Sequence, residues 1–265
     1  IGVEPIQNGD GAKKQDCETA AAKRWIQQYA NRYQDLNVTL LGDDLYSRQP
    51  LCESVLAAGL NFLFVCKPQS HQTLYEYLAG LADTSTIRTV VKKRRRGKRS
   101  EIETYRFVNR LPLRDADDAL DVNWCEIITT LTDGKVIYRN AFVTNHQVSD
   151  ENIVALIQSG RARWKVENEN NNTLKTKGYH LSHNFGHGKQ HLSTTLASIN
   201  LLAFLMHTVL DRMDAKYQLL RASLPTRKIF FEHVRALTCY ICFDHFEVLL
   251  DFMLRGLEIE FKDSG

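Results

Sequence analysis

Two short apolar runs on either side of a helical segment constrain the fold of this chain most. The first run, LNVTLLGDD, ends on the carboxylates of Asp43 and Asp44, and the second, NFLFVCK, ends at Lys67. Between them, Pro50 suits the first turn of a helix and Gly59 can cap its end. A strand, helix, strand unit of this length implies two neighbouring parallel strands, so we predict an α/β protein.

The rest of the sequence indicates three parts. Residues 1–86 carry the strand, helix, strand unit, and residues 87–148 are rich in β-forming residues, with a hairpin signal at Asp133-Gly134. Residues 149–265 are mostly helical. We therefore predict an α/β core, a β-rich insertion and a helical C-terminal region.

The composition excludes disordered and fibrous proteins. Apolar residues make up 43% of the 265 positions and charged residues 25%, which is typical of a globular protein. The apolar stretch that begins at Leu196 is shorter than the roughly 20 residues of a membrane-spanning helix, so we predict core helices and no membrane partner. The six cysteines lack a framework spacing and follow no secretory signal, which favours reduced thiols in a cytoplasm.

The segment from Arg161 to Lys175, RARWKVENENNNTLK, has polar residues where a helix does not favour them. Each asparagine in a helix interior costs up to about 0.7 kcal/mol against alanine, and four lie within five positions here. On an α-helix, one face would carry a cation, a carboxylate, two amides and a leucine: Arg163, Glu167, Asn170, Asn171 and Leu174. This face indicates a function other than folding.

Carboxylates recur at positions that suit metal chemistry. Asp43 and Asp44 follow a strand, where α/β proteins usually place functional groups, and Glu167 lies about 120 residues later. Converging carboxylates can hold two Mg²⁺ ions, one to activate an attacking oxygen and one to stabilise the leaving oxygen of a phosphodiester. A simple turn after the strand is the alternative explanation of the two aspartates.

Two motifs resemble those of the DDE transposases of bacterial insertion sequences. GDDLYSRQP resembles the strand end that carries the second aspartate, with an aromatic residue three positions after the acid. RARWKVENENNNTLK resembles the helix with Arg, Trp, any residue, an aliphatic residue and the catalytic Glu; Arg163, Trp164, Val166 and Glu167 match in order. The resemblance covers most of the chain and implies a partial ribonuclease H-like core with a β-rich insertion and a helical C-terminal region.

The resemblance implies a role for each matching acid. Asp43 would be the second metal-binding and catalytic acid, with Asp44 as the alternative. Glu167 would be the third, with Glu169 as the alternative in a shifted register. Mg²⁺ would be the cofactor, and Mn²⁺ can replace it.

The resemblance also implies contacts with double-stranded DNA, both at the element ends and at the target. Arg163 would contact a DNA phosphate, and Lys175 would match the family lysine. Two departures affect these contacts: Lys175 stands eight residues after Glu167 instead of seven, and Gly160 replaces the usual tyrosine. The implied setting is the bacterial cytoplasm, near the nucleoid, where a homodimer can form on DNA.

The family's first aspartate has no counterpart before Asp43. Asp10, Asp16 and Asp35 lie outside the predicted strands, so we expect that acid and its strand upstream of Ile1. With two of three carboxylates, this chain alone is expected to be inactive. Two other functions therefore stay open: a non-catalytic DNA-binding remnant and a ribonuclease H-like nuclease unrelated to transposition.

Two features of the β-rich part offer further DNA contacts. Seven of the eight residues from Lys92 to Arg99 are basic, and Arg94, Arg95 and Arg96 at their centre are candidates for binding phosphates. A solvated hairpin tip is the alternative. Trp124 can stack on a flipped base, as insertion-domain aromatics do in some relatives, and core packing is its alternative.

Histidines and cysteines offer weaker signals for zinc. Four histidines lie close together in the sequence, but glycines break any continuous helical face: His180, His183, His187 and His191. We predict a loop in which these histidines form hydrogen bonds with the backbone or with phosphate. Cys239 and Cys242 have the spacing of half a zinc site without a second pair. We predict that they are buried thiols of an apolar helix.

Overall fold

The computed structural model describes residues 4–6, 16–81, 85–97, 99–184, 186, 188 and 190–261. The chain divides into two compact units, Ile1–Arg163 and Trp164–Gly265. The first unit is built on a β-sheet and the second is helical.

The described strands of the first unit form one mixed sheet in the order β1-β2-β6-β5-β4-β3. Their bounds are β1 Thr39–Gly42, β2 Asn61–Val65, β3 Arg88–Arg96, β4 Arg99–Pro112, β5 Asp121–Leu131 and β6 Val136–Thr144. The strands β1 and β2 are parallel and the other neighbours are antiparallel. The predicted α/β class is therefore confirmed, and so is the parallel pair.

The β-rich segment continues the same sheet, because β6 pairs directly with β2. Its register is set in part by the predicted hairpin turn, where Gly134 has a φ of 84°, a value that glycine adopts without strain. The two edges of the sheet are β1 and β3. The acidic turn and the basic run therefore lie at opposite edges.

Helices cover both faces of this sheet. Three of them share one apolar core with the sheet: α1 Glu18–Tyr29, α2 Gln49–Ala57 and α3 Gln72–Gly80. On the other face, α4 Ile153–Ala162 packs Ile153 and Ile157 against Phe142 and Tyr105. Because fully burying one such side chain is worth roughly 1.5–3 kcal/mol, these contacts fix the helices on the sheet.

The second unit has its own core of aromatic and aliphatic side chains, centred on Tyr217, Phe230 and Leu250. Its described helices are α5 Asn172–Thr176, α6 Leu192–Met213, α7 Ala215–Ser223, α8 Arg227–Thr238 and α9 Phe246–Gly256. Pro225, which cannot continue a helix, lies between the end of α7 and the start of α8. A second break lies at Asp214, whose carboxylate caps α7 by accepting from the N–H of Tyr217 at 2.7 Å.

The helix α6 differs from the core helix that its sequence predicts. It runs for 22 residues, and none of them is fully buried. Its inner face contributes Leu210 to the core, whereas Ile199, Leu202 and Met206 are at least 46% exposed. A helix that is apolar all round is usually enclosed, which is why the sequence alone indicated burial. Length and composition alone would also allow α6 to cross a membrane.

Candidate functional site

The two carboxylates after β1 have different surroundings. Asp43 Oδ1 accepts a hydrogen bond from the N–H of Leu45 at 2.9 Å, which closes a turn within its own loop. Asp44 Oδ1 accepts from the N–H of Lys67 at 2.7 Å, and its Oδ2 accepts from the hydroxyl of Ser70. Asp44 therefore ties the end of β1 to the segment after β2, whereas Asp43 makes a local contact.

The glycine before these acids allows the turn to pack closely. A Cβ at Gly42 would lie 2.8 Å from the side chains of both Phe64 and Tyr46, so only a hydrogen fits there. Tyr46 in turn donates to Glu18 Oε1 at 2.6 Å, which connects the turn to α1. The Gly-Asp-Asp-x-Tyr pattern thus holds the acidic turn between β2 and α1.

A buried polar pair lies beside Asp44 and was not predicted from the sequence. Ser47 Oγ and His71 Nε2 are 2.7 Å apart, and both residues are at most 5% exposed. The Ser47 hydroxyl also donates to the carbonyl of Asp44 at 2.8 Å. Burial lowers the pKa of His71 despite the opposing charge of Asp44, so the ring is neutral at physiological pH. The sequence feature that could have indicated this pair is the presence of polar residues shortly after both parallel strands.

The helix α4 continues through a pair of residues that favours a helix break. Ser159 and Gly160 form this pair, and α4 nevertheless ends only at Ala162. A Cβ at Gly160 would lie 2.6 Å from the ring of Phe142 in β6, so this glycine lets the helix contact the sheet closely. The glycine at this position therefore serves the close packing of α4 on the sheet.

The segment that carries Glu167 is a π-helix, Val166–Asn171, instead of the predicted α-helix. The N–H of Asn172 donates to the carbonyl of Glu167, five residues earlier. Asn168 Nδ2 also donates to the carbonyl of Trp164 at 3.2 Å, which offers the backbone a substitute for an α-helical bond. Single π turns are rare and frequently occur at functional sites.

The π-helix changes which residues share a face. Leu174 is 2% exposed and anchors the segment, whereas Glu167 and Lys175 are exposed. The α-helical spacing placed Glu167 and Leu174 together, and this prediction is wrong because one is exposed and the other is buried. The motif residues Trp164 and Val166 are 48% and 53% exposed.

The structure describes the two motifs in separate units. Asp43 and Asp44 belong to the first unit, in which Arg163 is the last residue. Glu167 and Lys175 belong to the second. Within the described residues, no group of three or more histidine, cysteine, aspartate or glutamate side chains is arranged to hold a metal ion.

The basic run forms the exposed edge strand β3. Its residues alternate between two faces, and their partners on β4 differ. Lys92 and Arg94 lie opposite Glu103 and Glu101, and Arg94 Nη1 is 3.4 Å from Glu103 Oε1. Lys93 and Arg95 are exposed and lie opposite neutral partners, Ile102 and Ser100. The side chain of Arg96 is outside the described part, although its backbone pairs with Arg99.

Trp124 lies in the sheet core. Core packing was the alternative to the base-stacking role predicted for this residue. It is 1% exposed, and its ring meets that of Tyr75 edge-on at 6.3 Å between centroids. The guanidinium of Arg106 lies 6.0 Å from the ring centre. A ring enclosed in this way is not accessible to a DNA base.

The histidines and the cysteine pair occupy irregular segments. His180, His183 and His191 are exposed between α5 and α6, as the predicted loop requires, while His187 and Asp10 lie outside the described residues. Cys239 and Cys242 are exposed, so the prediction of buried thiols is wrong. The reason is that α8 ends at Thr238, before the apolar run that suggested a continuous helix.

The buried thiols lie instead in the first unit. Burial raises the pKa of Cys52 and Cys125 to about 12, which keeps both as neutral thiols.

A comparison of the chain with known protein families and with curated proteins finds no match.

Proposed function

We propose that the chain is part of a DDE transposase, which cuts and joins double-stranded DNA at the ends of a bacterial insertion sequence. One observation carries the proposal: an acidic turn at the carboxyl end of a parallel strand occurs with an Arg163-Trp164-x-Val166-Glu167 motif, whose last two residues begin an exposed π-helix. In this proposal Asp43 and Glu167 are the second and third catalytic acids. Arg163 and Lys175 bind DNA phosphates.

The sheet supports a ribonuclease H-like core as the finer description of the fold. The parallel pair β1 and β2 is connected through α2, and the acidic turn follows the first of these strands. Since β1 is at the edge of the described sheet, its outer backbone groups are in position to pair with one more strand. That neighbour would be the strand on which this type of core carries its first aspartate.

The hydrogen bonds favour Asp43 over Asp44 as the metal-binding acid. Both carboxylate oxygens of Asp44 accept bonds from the segment after β2, while the bond described for Asp43 occupies Oδ1. Mg²⁺ fits such a donor, because it is usually held by one or two carboxylates together with waters and substrate phosphates. When bound, the metal would neutralise the charge that develops on the phosphodiester oxygens.

The π-helix accounts for the unusual position of Lys175. Residues seven apart share a face of an α-helix, whereas a π turn takes one more residue per hydrogen-bonded ring. A spacing of eight across one π turn therefore matches a spacing of seven in a regular helix. The exposure of Glu167 and Lys175, with Leu174 buried between them, agrees with this register.

Cleavage of defined duplexes tests the proposal. The protein is expressed from its complete genomic reading frame and given Mg²⁺ with duplexes that end in the repeats flanking its gene. We expect strand nicks at the repeat ends and none in random duplexes of equal length, as resolved on denaturing gels. Equal cutting of both duplexes would instead support the unrelated nuclease, and EDTA provides the metal-free control.

DNA binding without catalysis is a second candidate function, and the strand β3 favours it. Four consecutive exposed cations, Lys92 to Arg95, follow the edge of the sheet, and such a row contacts phosphates without requiring an acid. If this function is correct, the protein binds duplex DNA but does not nick it in the presence of a divalent metal ion.

The two faces of β3 give a matched test of DNA binding. We expect the double variant Lys93→Gln, Arg95→Gln to show a shallower fall of log binding constant with log salt concentration. The magnitude of the slope should decrease by up to about 1.8, since each phosphate contact contributes about 0.9. Lys92→Gln with Arg94→Gln should change the slope less, because Glu101 and Glu103 lie opposite these cations. Fluorescence anisotropy of a labelled duplex measures both. Identical slopes in all three proteins would exclude β3 as the contact.

A further inference from the structure

A cavity of about 460 Å³ lies at the carboxyl ends of β1 and β2, next to the acidic turn. Its polar walls come from the segments that follow both parallel strands and from the segment after β4: Arg48, Gln69, Ser70, Gln72 and Arg114. Pro50 and Leu113 provide apolar surface. Crevices at the carboxyl ends of parallel strands are where α/β proteins commonly bind ligands.

A neutral oxygen holds Arg48 in place, whereas Arg114 bonds one neutral oxygen and one carboxylate. Arg48 Nη1 donates to the carbonyl of Ser70 at 2.7 Å, and Arg114 Nε donates to Gln49 Oε1 at 2.9 Å. A guanidinium has five N–H donors, so each retains further donors after these bonds. The carboxylate in contact is that of Asp118, which pairs with Arg114 from an exposed position, where an ion pair contributes little.

Two helices also begin at this cavity. Gln49 and Gln72, both in the wall, are the first residues of α2 and α3. Their N-cap residues, Arg48 and His71, form no side-chain cap in the part of the chain that the structure describes. Pro50 lacks an N–H and that of Leu51 donates to the carbonyl of Arg48, so the N–H groups that add positive potential beside the arginines come mainly from the first turn of α3.

We propose that this cavity binds the phosphate group of a nucleotide or of a nucleic-acid strand. Arginine forks, amide donors and helix N-termini converge on a wall that contains no carboxylate among the residues lining it, which is the chemistry that recognises an oxyanion. The volume exceeds that of one phosphate, so a sugar can rest against Pro50 and Leu113. This assignment does not depend on transposition, because it requires neither Asp43 nor Glu167.

Calorimetric titration of the whole chain tests the proposal with two probes, inorganic phosphate and the 5′-phosphorylated dinucleotide of thymidine. We expect saturable binding by the wild type, and binding about tenfold weaker or more in Arg48→Gln and in Arg114→Gln, since each loses charge-assisted hydrogen bonds. The control variant Arg32→Gln removes the same charge from an exposed position in the turn after α1. This variant should bind both probes as tightly as the wild type does.

The two probes distinguish the source of the phosphate. Tighter binding of the dinucleotide identifies a nucleic-acid strand, and equal binding identifies free phosphate; both outcomes support the site. No saturable binding by the wild type, or equal weakening in Arg32→Gln, overturns it. Arg114 has a half-exposed side chain, so Arg114→Gln carries the test if Arg48→Gln does not fold by circular dichroism. Neither probe is a duplex, so the result is independent of DNA cleavage.

Discussion

Glu167→Gln is expected to abolish DNA cleavage by the protein from its complete reading frame and to leave duplex binding within about twofold of the wild type. The substitution keeps the size of the side chain and removes the charge that a divalent cation requires. Metal stabilisation of the reacting oxygens is worth several kcal/mol, so a loss of about 10³-fold or more follows at roughly 1.4 kcal/mol per factor of ten. Binding persists because affinity for duplex DNA comes mainly from cations on phosphates.

The same π-helix offers a matched control. Glu169 is exposed like Glu167 and lies two residues further on, so Glu169→Gln removes the same charge from the same segment. Gel assays of nicking and anisotropy assays of binding, performed on both variants, separate catalysis from affinity. Loss of cleavage in Glu169→Gln alone would assign the acid to the shifted register. Full cleavage by both variants would remove this helix from the catalytic site.

The core of the fold was predictable because its signals are local. Continuous apolar runs of strand length, separated by a helix with Pro50 in its first turn, correctly predicted the parallel pair β1 and β2. Asp133-Gly134 correctly predicted a hairpin. The pairing of β6 with β2 was not predicted, because it joins residues about 80 positions apart and depends on tertiary contacts that no local pattern records.

The candidate site was predictable in its acids but not in its supporting contacts. The strand-end position of Asp43 and Asp44 followed from the pattern, whereas their different hydrogen bonds depend on Lys67 and Ser70, which come from another strand end. The π-helix was not predicted because residue propensities do not distinguish bonds four residues apart from bonds five apart. One extra residue per turn was enough to bury Leu174 away from Glu167.

Gly160→Tyr is expected to destabilise the first unit by about 3 kcal/mol or more. The substitution introduces the tyrosine expected here if the proposed transposase assignment holds, but the Cβ alone would lie 2.6 Å from the ring of Phe142. Overpacking a close helix-to-sheet contact typically costs 1–3 kcal/mol, and a whole phenol ring is an extreme case. The gain in helix propensity over glycine, under about 1 kcal/mol, does not offset this clash. Urea unfolding followed by circular dichroism measures the loss.

Gly80→Ala is expected to raise the free energy of unfolding, which is the opposite of the effect of Gly160→Tyr. Gly80 is the last residue of α3, and a Cβ there would meet no atom within 4 Å, so alanine should stabilise the unit by up to about 1 kcal/mol. The pair of variants separates a helix-propensity effect, which both share, from the contact with Phe142, which only Gly160 makes. If Gly160→Tyr were as stable as the wild type and bound DNA more tightly, α4 would have room for the tyrosine. In that case close packing would not explain the glycine, and its position would belong to the DNA interface.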